Sequence, residues 1–209
     1  MRIAICLRGR SFYHNQFYHT DFTESCDNIN AMIIEPLRKH GHIVDIFCCT
    51  YVSHKLEHVI NFYKPVLTLA INESEFAGLR PCACKYIFCL EGSRIIREHE
   101  AKNNFIYDFI INMRFDITFS YSITQHNYDI TKMNVMFKHT SGNCDDNYWI
   151  IGRCQLENFE NAIQKLLADN KSIIHEFNHH IDPSNVLYMY DTDCNEYRYY
   201  TINRQTFYT

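Results

Sequence analysis

Apolar residues fall along the chain in two rhythms: short unbroken runs, and stripes at helical spacing. The runs Arg2–Leu7, Ile43–Cys49 and Val66–Ile71 read as strands. A fourth run, within Ile106–Phe119 (IYDFIINMRFDITF), is bounded by charge and reads as a strand buried on both faces. Ile29, Met32, Ile33 and Leu37 recur at helical spacing after Asp21-Phe-Thr-Glu24, a capping-box pattern, and Gly41 closes that helix. Pro36 predicts a kink or an early end. Lys55–Tyr63, residues 82 to 102, Gln155–Leu167 and Lys171–Ile181 read as further helices. Strand, helix and strand at the start of the chain make a βαβ unit, so the sheet is expected to be mostly parallel. Met133–Lys138 and Tyr148–Ile151 add strands, and Val186–Tyr190 and Tyr197–Ile202 either pair as a terminal hairpin or extend the sheet. Tyr13–Phe22 and Asn72–Pro81 carry no clear period and read as loops.

This pattern puts chemistry at the strand ends. In open α/β sheets ligands bind at the carboxyl rim. Arg114 and Asp116 stand at the end of the Ile106–Phe119 strand, suited to a phosphate and a metal. Arg8-Gly9-Arg10-Ser11 follows the first strand and reads as a loop. Guanidinium groups hold phosphate oxygens bidentately, and glycine lets the backbone come close. It is neither a dinucleotide fingerprint nor a P-loop. Tyr51, at the end of the second strand, is placed to stack on a base or to pack at the rim. Gly142–Asn147 is turn chemistry with adjacent carboxylates, Asp145 and Asp146.

Composition narrows the field. The 209 residues suit one domain, 1–209, and 46% hydrophobic with 21% charged residues is ordinary for a globular chain. A net charge of −4 and a pI near 6.3 argue against a nucleic-acid partner. Six glycines and four prolines leave no linker. The apolar start Ile3–Leu7 is too short for a signal core or a membrane span, so the expected location is cytoplasmic and the ten cysteines are expected to be reduced. Cys48–Cys49 and Cys82-Ala-Cys84 lack a paired zinc framework.

Several stretches in this order resemble a family: ICLRGR, IIEPLRKHGHIVDIFCCTY, YDFIINMRFDITF, CDDNYWIIG and a C-terminal HE-x-x-HHI segment leading to Arg204. They are similar to the small GT-A-type glycosyltransferase-like proteins of large DNA viruses and some bacteria. The resemblance implies a single α/β Rossmann-like domain with a nucleotide-sugar half, about 1–119, and an acceptor half, about 120–209. It implies transfer of a sugar from a UDP- or GDP-linked donor to a glycan or other hydroxyl acceptor, in the host cytoplasm if the chain is viral. The family's Asp-x-Asp metal motif departs here, with Arg114 in the first aspartate's place and Asp116 retained. The implied roles are Mn²⁺ or Mg²⁺ at Asp116, assisted by Arg114 and by a histidine of the late helix such as His179. Arg8, Gly9, Arg10 and Tyr51 would lie near the nucleotide, Arg97 (or Arg94) near the donor, and Asp145 or Asp146 would act as base.

Two other classes stay open. His175-Glu176-Phe177-Asn178-His179 matches H-E-x-x-H, the zinc metalloprotease arrangement, with Glu196 a possible third ligand. The incomplete aspartate motif also allows a sugar-nucleotide binder without catalysis.

Overall fold

Seven strands make the central sheet in the computed structural model, which describes residues 1–15, 18–138, 144–169, 179–190, 199–203 and 205–206. The chain opens with β1 (Arg2–Gly9) and a hairpin, β2 (Phe12–His14) and β3 (Tyr18–Asp21). A helix follows in three parts: α1 (Cys26–Ile29), a π-turn (Asn30–Ile34) and α2 (Glu35–Lys39). Then come β4 (Ile43–Tyr51), α3 (Leu56–Tyr63), β5 (Leu67–Ile71), the long α4 (Pro81–Asn103), β6 (Phe109–Arg114) and β7 (Ile117–Phe119). β8 (Met133–Val135), β9 (Tyr148–Gly152), α5 (Leu156–Ala168), β10 (Val186–Tyr188), β11 (Tyr200–Ile202) and β12 (Gln205–Thr206) complete the described elements.

The sheet order is β10-β8-β9-β6-β1-β4-β5. β9 runs antiparallel to both its neighbours, and every other pairing is parallel. The chain is therefore α/β with a mostly parallel sheet, as the βαβ pattern predicts.

Alternation along β1 divides the core. Ile3, Ile5 and Leu7 face Ile29, Ile33 and Leu37 of the first helix and Val59 and Tyr63 of α3. Ala4 and Cys6 face the opposite layer, with Tyr86, Phe88, Cys89 and Ile96 of α4 and Phe159 and Ile163 of α5. A strand covered on both faces needs apolar residues at every position, which is why RIAICL reads as an unbroken run. α4 lies close to β1 at Gly92, where a Cβ would stand 2.6 Å from the Cys6 sulfur. At the rim, β1 and its neighbours finish level: Gly9 is in register with Thr50, and Arg8 with Arg114.

The structure changes some sequence expectations and decides between others. Tyr13–Phe22 is largely the β2–β3 hairpin, because cross-strand pairing rather than burial organises it. Arg8 and Gly9 belong to β1, not to a loop. Ile106–Phe119 contains two strands: β6 ends at Arg114, and Phe115 and Asp116 turn the chain into β7. The strand expected over Met133–Lys138 ends at Val135. β10 extends the sheet beside β8, whereas β11 pairs with β7, so the two do not form a hairpin. Pro36 sits in the first turn of α2, after the π-turn, so the helix runs past it to Lys39. The helix expected at 171–181 lies mostly outside the described residues. No helix among the described residues is long and apolar enough to cross a membrane.

Candidate functional site

A cleft of about 560 Å³ opens at the carboxyl rim of β1, β4 and β6. Its lining carries the cations Arg8, Arg10, Lys85 and Arg114 together with the apolar Tyr13, Tyr51, Phe76, Leu79 and Phe88, and Arg10 lies over the Tyr13 ring. Glu73 and Asp116 are the carboxylates of its lining. Such a mixture, apolar surface with a few convergent charges, is the usual make-up of a small-molecule site.

Phe115 points into the core, so its neighbours Arg114 and Asp116 share the other side of the chain and meet. Arg114 Nε donates to Asp116 Oδ1 at 2.7 Å and Nη2 to Oδ2 at 2.5 Å, a two-point pair whose side chains are 15% and 2% exposed. Burial opposes the Arg114 charge, but the Asp116 carboxylate more than offsets this and the guanidinium pKa rises.

Arg8 is a buried strut. Its Nε donates to Asn112 Oδ1 of β6, its Nη2 donates to the Asp146 carbonyl, and its guanidinium lies 4.7 Å from the Trp149 ring centre. It ties β1 to β6 and to the turn before β9. Arg10 reaches farther into the cleft. It lies 3.6 Å over the Tyr13 ring and pairs with Glu73 Oε1 at 2.5 Å. Gly9 between them has φ +90°, a conformation that side chains resist, and a Cβ there would meet nothing within 4 Å. Thr50 steadies this turn: its hydroxyl donates to the Gly9 carbonyl at 2.8 Å and stands 3.0 Å from the Ser11 hydroxyl. Tyr51 lines the cleft with its ring set edge-on against Phe76 and Phe88, centroids 5.3 and 4.7 Å apart. Burial pushes its phenol pKa up, with Cys84 adding to the rise.

The aspartate pair divides its work. Asp145 is enclosed. It accepts from the Tyr200 hydroxyl at 2.5 Å, the Asn147 amide nitrogens at 3.2 and 3.0 Å and the Tyr148 N–H at 3.3 Å. Burial and then the charge of Asp146 push its pKa up to about 6, against the pull of those donors. It therefore caps a turn and does not line the cleft. Asp146 is also buried and outside the cleft lining, but its Oδ2 stands 3.1 Å from the ammonium of Lys85, which lines the cleft. Lys85 went unnoticed in the sequence, where it sits in a mixed stretch, CACKYIF, with no motif; its position comes from the packing of α4 on β1.

Other residues singled out in the sequence lie elsewhere. Arg97 pairs with Glu160 of α5 at 2.9 and 2.8 Å, away from the cleft, because helical spacing carries it to the α4–α5 contact. Arg94 pairs with Glu91 at 2.7 Å and with Glu98. His179 does not line the cleft. His175, Glu176 and Glu196 lie outside the described residues.

The divalent ion implied by the family resemblance has a poor donor set here. Both Asp116 oxygens are held by one guanidinium, which would repel a dication. Among the described residues no three His, Cys, Asp or Glu side chains gather as a metal site. These residues do not fit Mn²⁺ or Mg²⁺.

No family model matches the chain, and no curated protein matches it. Among solved structures, the chain is similar to a glycosyltransferase involved in glycosylation of the major capsid of PBCV-1, at 11% identity and TM-score 0.46, covering 91% of this chain and 82% of that one. It is similar to the galactosyltransferase LgtC in complex with donor and acceptor sugar analogues, at 10% identity and TM-score 0.46, over 90% and 73% of the two chains. It is also similar to the bifunctional WbbM glycosyltransferase, at 10% identity and TM-score 0.48, over 89% of this chain and 38% of that one. With TM-scores below 0.5, these likenesses assign no chemistry to the cleft.

Proposed function

We propose that this protein is a glycosyltransferase that moves a sugar from a nucleoside-diphosphate donor, UDP- or GDP-linked, to a hydroxyl of a glycan acceptor. The observation that carries the reading is the cleft at the carboxyl rim, lined by cations and aromatics together. A nucleotide-sugar has the matching halves, a flat base and a doubly charged diphosphate. Tyr13, Tyr51 and Phe76 would receive the base, and Arg10, Lys85 and Arg114 the phosphates. Gly9, with open space at its Cα, would let the backbone come close.

In the reaction the bond from the sugar's anomeric carbon to the phosphate oxygen breaks, and a bond to the acceptor oxygen forms. The acceptor proton passes to a carboxylate, and the diphosphate leaves with the electron pair. Positive charge fixed at the leaving oxygens lowers the barrier, since that is where charge develops. Asp146 is the better base of the aspartate pair, because Asp145 spends its oxygens on the turn. The chemistry here is that of a transferase, and the family resemblance of the sequence supports the same class.

Incubation with UDP-, GDP- and dTDP-sugars, with release of the nucleoside diphosphate monitored by chromatography, tests the reading. Release from one donor class, lowered at least tenfold by Asp146→Asn, is expected. No release from any donor, and no thermal stabilisation by any, would sink it.

A further inference from the structure

We infer that the cleft seats the donor diphosphate on the protein cations Arg10, Lys85 and Arg114, without a divalent ion. The inference rests on the nucleotide-sugar reading for the donor's identity, but the anion seat itself rests on the geometry.

Each of the three cations holds one carboxylate at the cleft: Arg10 with Glu73 at 2.5 Å, Lys85 with Asp146 at 3.1 Å and Arg114 with Asp116 at 2.5 Å. These cations come from three separate elements, the turn after β1, α4 and the end of β6, and they converge on one space. With Arg8 that makes four cations against the three carboxylates Glu73, Asp116 and Asp146, an excess of one positive charge before any ligand enters. An incoming diphosphate can accept from the remaining N–H groups of the same donors, whose side chains their carboxylates already hold in place. The guanidinium of Arg114 stands where a metal-binding pair of carboxylates would need the first of its two, and it takes both oxygens of the second. A dication and this guanidinium would compete for Asp116, whereas an anionic diphosphate and the guanidinium attract. Positive charge on the leaving group is what the reaction requires, and a guanidinium supplies it as a metal would.

Asp116 separates the two arrangements. If it holds a metal, its loss removes donor binding. If it is the resting counter-ion of Arg114, its loss frees that cation. The experiment is calorimetric titration of the full chain with UDP, GDP and inorganic pyrophosphate, in EDTA and again for the nucleotides in Mn²⁺. Pyrophosphate and one nucleotide are expected to bind in EDTA, with Mn²⁺ changing the nucleotide affinity less than about twofold. Lys85→Gln, which removes the charge but leaves an amide donor beside Asp146, should weaken binding about tenfold. Asp116→Asn should bind in EDTA at least as tightly as the native chain. Because Arg114→Gln alone would strand Asp116, the paired Arg114→Gln, Asp116→Asn variant reports on that arginine and should lose about tenfold. Binding that appears only with Mn²⁺, or that Asp116→Asn abolishes, overturns the inference. Pyrophosphate binding without either nucleotide upholds the seat and refutes the nucleotide-sugar reading. No binding of any probe in either medium overturns both.

Discussion

Arg8 and Arg10 differ by two positions and do different work. The sequence offers them as equal members of a phosphate loop, but strand β1 runs through Arg8 and buries it. Its hydrogen bonds to Asn112 and to the Asp146 carbonyl make it part of the scaffold that supports the cleft. Arg8→Met leaves two buried acceptors without that donor, and a loss of about 2–4 kcal/mol is expected in urea unfolding. Arg10→Met, at a half-exposed side chain, should leave stability within about 1 kcal/mol. Asp145 offers a second residue-scale test. Its folded pKa near 6 stands above its unfolded value, so its contribution to stability is full at low pH and is lost as pH rises through about 6. Buried His126 works in the opposite direction. Burial holds its pKa down to about 4, so its contribution is present above its unfolded value and lost as pH falls toward 4. The two overlap, so the native profile alone is uninformative. Asp145→Asn should remove the falling part between about pH 4 and pH 6, seen as a steeper rise of stability with pH than in the native chain.

At the scale of elements, most strands and helices were legible, because burial on both faces writes unbroken apolar runs and one-sided burial writes stripes. β1, β4, β6, α3 and α5 obey this rule, whereas the edge strand β5 is an apolar run only half-buried and the stripe of α4 is imperfect. The β2–β3 hairpin was not legible, since its residues are partly exposed and held by backbone pairing. The break between β6 and β7 was hidden for another reason. Phe115 and Ile117 continue the apolar alternation through the turn, so the pattern alone reads as one strand. α4 carries the element-scale consequence for the site. Its seat on β1 depends on Gly92, next to the Cys6 sulfur. Gly92→Ala gains helix propensity of about 1 kcal/mol but crowds a buried contact, costing about 1–3 kcal/mol. A net loss in thermal unfolding is expected, together with weaker pyrophosphate binding through Lys85.

At the scale of the whole molecule, the sheet gathers its chemistry at one rim. Strand ends could be located in the sequence, so Arg8, Gly9, Arg10, Tyr51, Arg114 and Asp116 were found there and meet in one cleft. Residues on helices were harder to assign. Lys85 and Arg97 sit on the same helix, and nothing in the sequence distinguishes the one that reaches the cleft from the one that pairs with Glu160. The Arg114–Asp116 pair shows the same limit. Two residues of a motif can be recognised without showing that they satisfy each other. Their pairing leaves a cleft that carries its own positive charge, which is the basis of the proposed metal-free donor seat. A crystal soaked with UDP and Mn²⁺, with anomalous data at the manganese edge, tests this most directly. The diphosphate is expected within hydrogen-bond distance of Arg10, Lys85 and Arg114, with no manganese at Asp116. Manganese bridging Asp116 and the diphosphate, or a nucleotide bound away from this cleft, would contradict it.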